Sequence, residues 1–129
     1  MINTIVKVNE YLSKKVSLYS HIMMNVFHDQ GTEEIICRQD PSSANEVRYM
    51  NGKRNGVINF SYYTKSLDQE KANNMLNDII TALDIQQITE ISEGLFVRIE
   101  AVSNPVFVLK RETGEYIFTS SFTLEYISQ

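Results

Sequence analysis

Tryptophan is absent from this 129-residue chain, and cysteine occurs once, at Cys37. A lone thiol cannot close an internal disulfide, so the expectation is a chain made and kept in a reducing cytoplasm and held together by core burial. Glycine stands only at positions 31, 52, 56, 94 and 114. That spacing spells neither a dinucleotide fingerprint nor a phosphate-cradling loop, which removes nucleotide chemistry in its common forms. Basic residues are too few for a phosphate-coating surface: 12 against 16 acidic, for a formal charge of -4. Free nucleic acid is therefore a poor main partner. No apolar run reaches the ~18 to 20 residues of a membrane span, and no charged, apolar and small-residue succession opens the chain as a secretion signal.

What is present is ordinary for a globular protein: 43% hydrophobic and 22% charged residues, with seven tyrosines and six phenylalanines. The length fits a single domain over residues 1–129, enough to bury roughly two thirds of the unfolded surface. No repeat, low-complexity tract or interdomain linker is legible.

Apolar positions 2, 5, 6, 8 and 12 predict a short amphipathic helix over residues 2–13. Residues 16–27 mix both periods and are read as partly extended. Residues 28–31, His-Asp-Gln-Gly, signal a turn, after which residues 34–38 read as a strand that Asp40-Pro41 ends. Residues 47–50 and 57–64 then flank the loop Asn51, Gly52, Lys53, Arg54, Asn55, Gly56, a hairpin with a basic tip. In its second strand Ile58, Phe60 and Tyr62 share one face and Tyr63 takes the other. Ser66 with Gln69 forms a weak capping box ahead of a helix over residues 67–83, whose apolar face runs from Leu67 through Ala72, Met75, Leu76, Ile79, Ile80 and Leu83. Gly94 breaks the segment beyond that helix.

The last third is the most explicit. Leu95, Val97, Ile99 and Ala101 alternate with Phe96, Arg98, Glu100 and Val102, Asn104-Pro105 breaks the run, and residues 106–109 lead to Glu112, Thr113 and Gly114. A three-residue loop ending in glycine suits a bulged hairpin, because glycine takes the left-handed conformation cheaply. Beyond it Tyr116, Phe118, Phe122, Leu124 and Tyr126 share a face opposite Thr119, Ser121, Thr123 and Glu125, so one side is buried and one polar. The fold class is α+β: a mainly antiparallel sheet, with room for a mixed pair, and two α-helices packed on it.

Site chemistry is poor. His21 and His28 have no acidic or thiol partner at metal spacing, and ordinary core or surface histidines account for them. His28, Asp29 and Cys37 assemble on paper into a thiol dyad, but a small buried side chain is the simpler reading of Cys37. The carboxylate pairs at 33–34, 90 and 93, and 112 and 115 lie on turns and element ends, where solvated charge is expected. No catalytic, cofactor-binding or metal-ligating residue is assigned. The compact basic pairs Lys53-Arg54 and Lys110-Arg111 fit salt-bridge partners across a subunit contact better than nucleic-acid contacts in an acidic domain. One ring of Tyr62-Tyr63 is a contact candidate, since exposed tyrosine suits interfaces.

In this order the chain resembles the tail terminator and minor capsid proteins of long-tailed bacteriophages. The likeness lies in Ile99-Glu-Ala-Val-Ser-Asn-Pro105 ahead of residues 106–110, then Glu112-Thr-Gly-Glu-Tyr116 and residues 117–124, together with the strand and amphipathic helix across residues 57–83. These stretches cover roughly half the chain; residues 14–45 depart from the family's pattern.

The resemblance implies a non-enzymatic virion protein at the head-tail junction, without catalytic residues or cofactor. Copies would form a ring, six being the expected number, that caps the tail tube and joins it to the neck. Its partners would be itself, the major tail tube protein and the neck or head completion proteins, with DNA passing through the ring unread. The candidate contact loops are Asn51 to Gly56 and Glu112 to Gly114. The competing readings are a head completion or stopper protein, which differs only in the ring it binds, and a small enzyme or a host binding module.

Overall fold

A computed structural model of the chain describes residues 2–28, 31–39, 45–48, 54–84, 86–88 and 95–128. Within them lie two helices and eight strands: α1 (Ile2–Lys15), β1 (Ile22–Met24), β2 (Glu34–Gln39), β3 (Asn45–Arg48), β4 (Arg54–Ser66), α2 (Gln69–Leu83), β5 (Gln86–Ile88), β6 (Leu95–Ala101), β7 (Val106–Lys110) and β8 (Tyr116–Ser128). The α+β reading holds, with a mixed sheet in the order β1-β2-β4-β8-β6-β5. Every pair is antiparallel except β1 with β2.

The two 13-residue strands β4 and β8 form the spine, pairing from Asn55↔Ile127 to Ser66↔Tyr116. Each carries two short strands end to end along its outer side. β2 and β3 share the outer side of β4, and β6 and β7 share that of β8. Between β6 and β7 lies a link that holds Pro105. Proline supplies no ladder N–H, so a link is where it does least harm.

This arrangement contains a duplication that no sequence similarity announces. The succession of one helix, a three-residue strand, two short outer strands and a 13-residue strand occurs twice, as α1-β1-β2-β3-β4 and again as α2-β5-β6-β7-β8. The second pass differs in that β5 runs antiparallel to its neighbour, where β1 runs parallel.

Both helices cover one face. Beneath them Phe60 and Phe122 stack at 5.6 Å, and Tyr62 meets each edge-on at 5.6 and 5.5 Å. All three are wholly buried, alongside Ile5, Val8 and Leu12 of α1 and Leu76, Ile79 and Leu83 of α2. Side chains of this size contribute about 1.5 to 3 kcal/mol each on burial. The Tyr62 hydroxyl donates to Asn9 Oδ1 at 2.6 Å, fixing α1 to the sheet, and burial pushes the phenol's pKa upward.

Residue alternation explains both strands of the spine, as expected. Ile58, Phe60 and Tyr62 are core, whereas Tyr63 on the opposite face is half-buried beneath the Arg38 guanidinium, 5.9 Å from its ring. Phe118, Phe122, Leu124 and Tyr126 are buried, Tyr116 is half-buried, and Ser61 and Ser121 meet across the polar face with their hydroxyls 3.1 Å apart.

The start of α2 corrects the sequence reading. Asp68, not Ser66, is the N-cap: its Oδ1 accepts from the amides of Glu70 and Lys71 at 3.0 and 3.4 Å. A carboxylate there satisfies two orphan donors and complements the helix dipole, which a hydroxyl does less well. Ser66 instead accepts from the Asp68 amide, and Leu67, placed by the periodicity on the helical apolar face, is 52% exposed. At the other end Asp84 Oδ1 accepts from the Ala101 amide at 2.7 Å and ties the helix to β6. No helix is long and apolar enough to cross a membrane among the described residues.

Candidate functional site

The turn after β7 is built as its sequence requires. The Gly114 amide donates to the Arg111 carbonyl at 2.9 Å, the Arg111 amide donates to the Glu115 carbonyl at 2.8 Å, and Gly114 has φ +102°. This is a three-residue hairpin loop with glycine at its left-handed position. The Thr113 hydroxyl donates to the Glu115 carboxylate, and that hydrogen bond, more than nearby Arg111 and Lys65, holds the carboxyl below its ordinary 4.5. Glu112 and Thr113 are exposed. Lys110 folds back over the Tyr116 ring, 5.2 Å from its centre.

The second half of the other candidate loop is strand. Arg54, Asn55 and Gly56 belong to β4, opposite Arg48, Val47 and Glu46 of β3. Asn51, Gly52 and Lys53 lie outside the described residues, as do Asp29, the Asp40-Pro41 break and Gly94. Gly56 serves close approach and not a turn: a Cβ there would stand 2.5 Å from the Tyr126 hydroxyl oxygen. The Asn55-Gly56 pair mimics a turn signal while answering to a tyrosine on the neighbouring strand.

The paper dyad does not form. Cys37 is wholly buried on the core side of β2, whereas His28 is exposed and uses its backbone amide, not its ring, to reach Glu34 Oε2 at 3.1 Å. His21 is also exposed. Among the described residues no three His, Cys, Asp or Glu side chains gather as metal ligands would.

Two features escape a reading of the sequence alone. The first is an ion pair, Lys65 to Glu34, with side chains only 1% and 4% exposed. It lies on the face away from the helices and is covered by the chain after β1. Asn25 takes φ 75° and turns that segment back, placing the Phe27 ring 5.2 Å from the Lys65 ammonium. The Tyr19 hydroxyl closes the region by donating to the Lys65 carbonyl at 3.1 Å, and burial raises its own pKa.

The second feature is β7 itself. Val106, Phe107, Val108 and Leu109 are 51%, 52%, 42% and 44% exposed, so an apolar strand is bare on both faces. Among the described residues it pairs with β8 alone, through a bulge at Val108. Natural edge strands of this kind are usually charged, covered or cut short, because an open edge recruits another strand. A signal exists in the sequence: four consecutive apolar residues without alternation predict burial from both sides, which nothing in the described fold provides.

The family model described as "Bacteriophage tail terminator protein" matches residues 11–127, a longer stretch than the half of the chain that carries the resemblance. No curated protein matches the chain.

Proposed function

The chain belongs to the bacteriophage tail terminator family, a structural family of virion proteins, and from that premise we propose that its copies close into a ring, six being the expected number, that caps the tail tube and joins it to the neck. The observation that carries this reading is the exposed apolar strand β7 running directly into the hydrogen-bonded loop Glu112 to Gly114. A terminator works by geometry: one face fits the last ring of tube subunits, and the occupied end refuses the next. Heterologous contacts close into a ring only when the rotation per copy divides the circle, so sheet edges and stiff loops set the number.

In this reading each subunit acts as one α+β domain, is made in the host cytoplasm, and meets itself, the major tail tube protein and the neck or head completion proteins. Its net charge of -4 suits a bore through which DNA passes unread. Lys53, Arg54 and the Glu112–Gly114 loop serve as contacts. Changing Lys53 and Arg54 together to glutamate is expected to weaken ring formation or tail joining, measured by electron microscopy of tails and by infectivity. Unaltered assembly in the double variant would remove the basic tip from the contact set.

A further inference from the structure

The partner of β7 can be read from the sheet's own register. Val106 pairs with Thr119, Thr119 with Tyr63, Tyr63 with Ile36, and Ile36 with Met23. This row crosses five strands from β7 at one edge to β1 at the other, so both stand at the same height along the strand axis. β1 is also apolar, Ile22–Met24, and among the described residues it ends its side of the sheet. Along these pairings β7 runs antiparallel to β1.

We infer that β7 of one copy adds to β1 of a second copy of this chain, continuing the sheet from subunit to subunit. The inference rests on the ring reading above and says which edges make it. Three observations favour a second copy over any other occupant. Both edges are apolar strands, so each supplies what the other lacks, ladder groups and an apolar neighbour. Their opposite senses across the sheet mean that a β1 added beside β7 continues the sheet as an antiparallel pair. Their shared row puts both edges at one level of the sheet, and a head-to-tail contact between them closes into a ring where the rotation per copy divides the circle. The exposed side chains Val102, Val106, Phe107, Val108 and Leu109 present on the order of 400 Å² of apolar surface, at the level where monomer patches become functional. That is roughly half of the ~800 Å² each partner gives to a standard interface. The adjoining loop Glu112 to Gly114 lies beside the strand to supply polar contacts.

Cross-linking tests this on the full chain. Val108→Cys and Met23→Cys are prepared separately and together, each retaining the buried Cys37, with the parent protein as control. A short bis-maleimide is expected to give a covalent dimer only when the two single variants are mixed, and a ladder of multimers from the double variant. Within one copy the two positions are four interstrand spacings apart, about 19 Å, beyond the reagent's reach. A dimer from Val108→Cys alone, as abundant as from the mixture, would mean that β7 pairs with β7 and would overturn the head-to-tail contact. Absence of cross-links in every form, and with Val106→Cys in place of Val108→Cys, would overturn the pairing altogether. Light scattering on the same samples separates the two ideas. A ring-sized mass without cross-links leaves the ring and removes these edges, while a monomer without cross-links removes both.

Discussion

Strands β2 and β7 flank the same central pair at the same level, and both contain apolar runs, yet their surroundings are opposite. Glu34 through Cys37 of β2 are all buried, whereas every residue of β7 is exposed. The difference lies in the neighbours each strand has in space, not in composition. β2 has β1 along its edge, the helical layer above it and the Phe27 segment across its other face, so even an ion pair can be enclosed there. β7 has one neighbour and no cover among the described residues. Among the described residues β2 is the finished strand, covered on both faces, and β7 the open one.

The enclosed ion pair is where this contrast can be challenged most forcefully. Lys65→Met removes one partner of the buried pair and leaves Glu34 enclosed without the Lys65 ammonium, and is expected to cost about 3 to 5 kcal/mol in urea unfolding, most of it recovered in the double variant Glu34→Leu/Lys65→Met. A milder test compares equal truncations on the two sides. Ile35→Ala empties a wholly buried site and should cost about 3 kcal/mol, while Leu109→Ala should change subunit stability by no more than about 0.5 kcal/mol and act instead on self-association. Equal losses at the two positions would contradict the division into a finished and an open strand. The smallest effect is expected at the loop that closes β7. A lowered Glu115 pKa contributes stability that is present above 4.5 and is lost as pH falls through the folded-state value. Thr113→Ala should move the Glu115 titration upward toward 4.5, detected by NMR. The variant should be slightly less stable than the parent at neutral pH and converge with it in acid.

Local chemistry makes part of this fold legible. Gly114 at φ +102° and the alternating aromatics of β8 depend on residues close in sequence, and so does the apolar face of α2. The features that sequence does not reveal depend on distant neighbours. Lys65 sits on the strand face that alternation assigns to solvent, and only the return of the chain at Asn25 encloses it. Gly56 looks like turn chemistry until Tyr126 is placed beside it. The doubled order of elements leaves little trace in residue identity: Phe60 and Phe122 are both the seventh residue of their 13-residue strands, while most of the other positions differ. The candidate contact loop at Glu112 to Gly114 is legible as a turn, and the bare edge beside it is not, since exposure is a property of the whole sheet.

The spine between β4 and β8 has a consequence in time. Even the pair nearest in sequence, Ser66 with Tyr116, is separated by the whole of α2, β5, β6 and β7. Closing so distant a ladder carries a large entropic cost before any contact repays it, so the spine zips after the local hairpins and helices have formed. On a ribosome adding about 5 to 20 residues per second, the inner edge of β4 waits roughly 3 to 12 s for its partner to be made. During that interval the nascent chain carries a second long open edge, and crowded synthesis of many copies is when mispairing between them competes most strongly with folding.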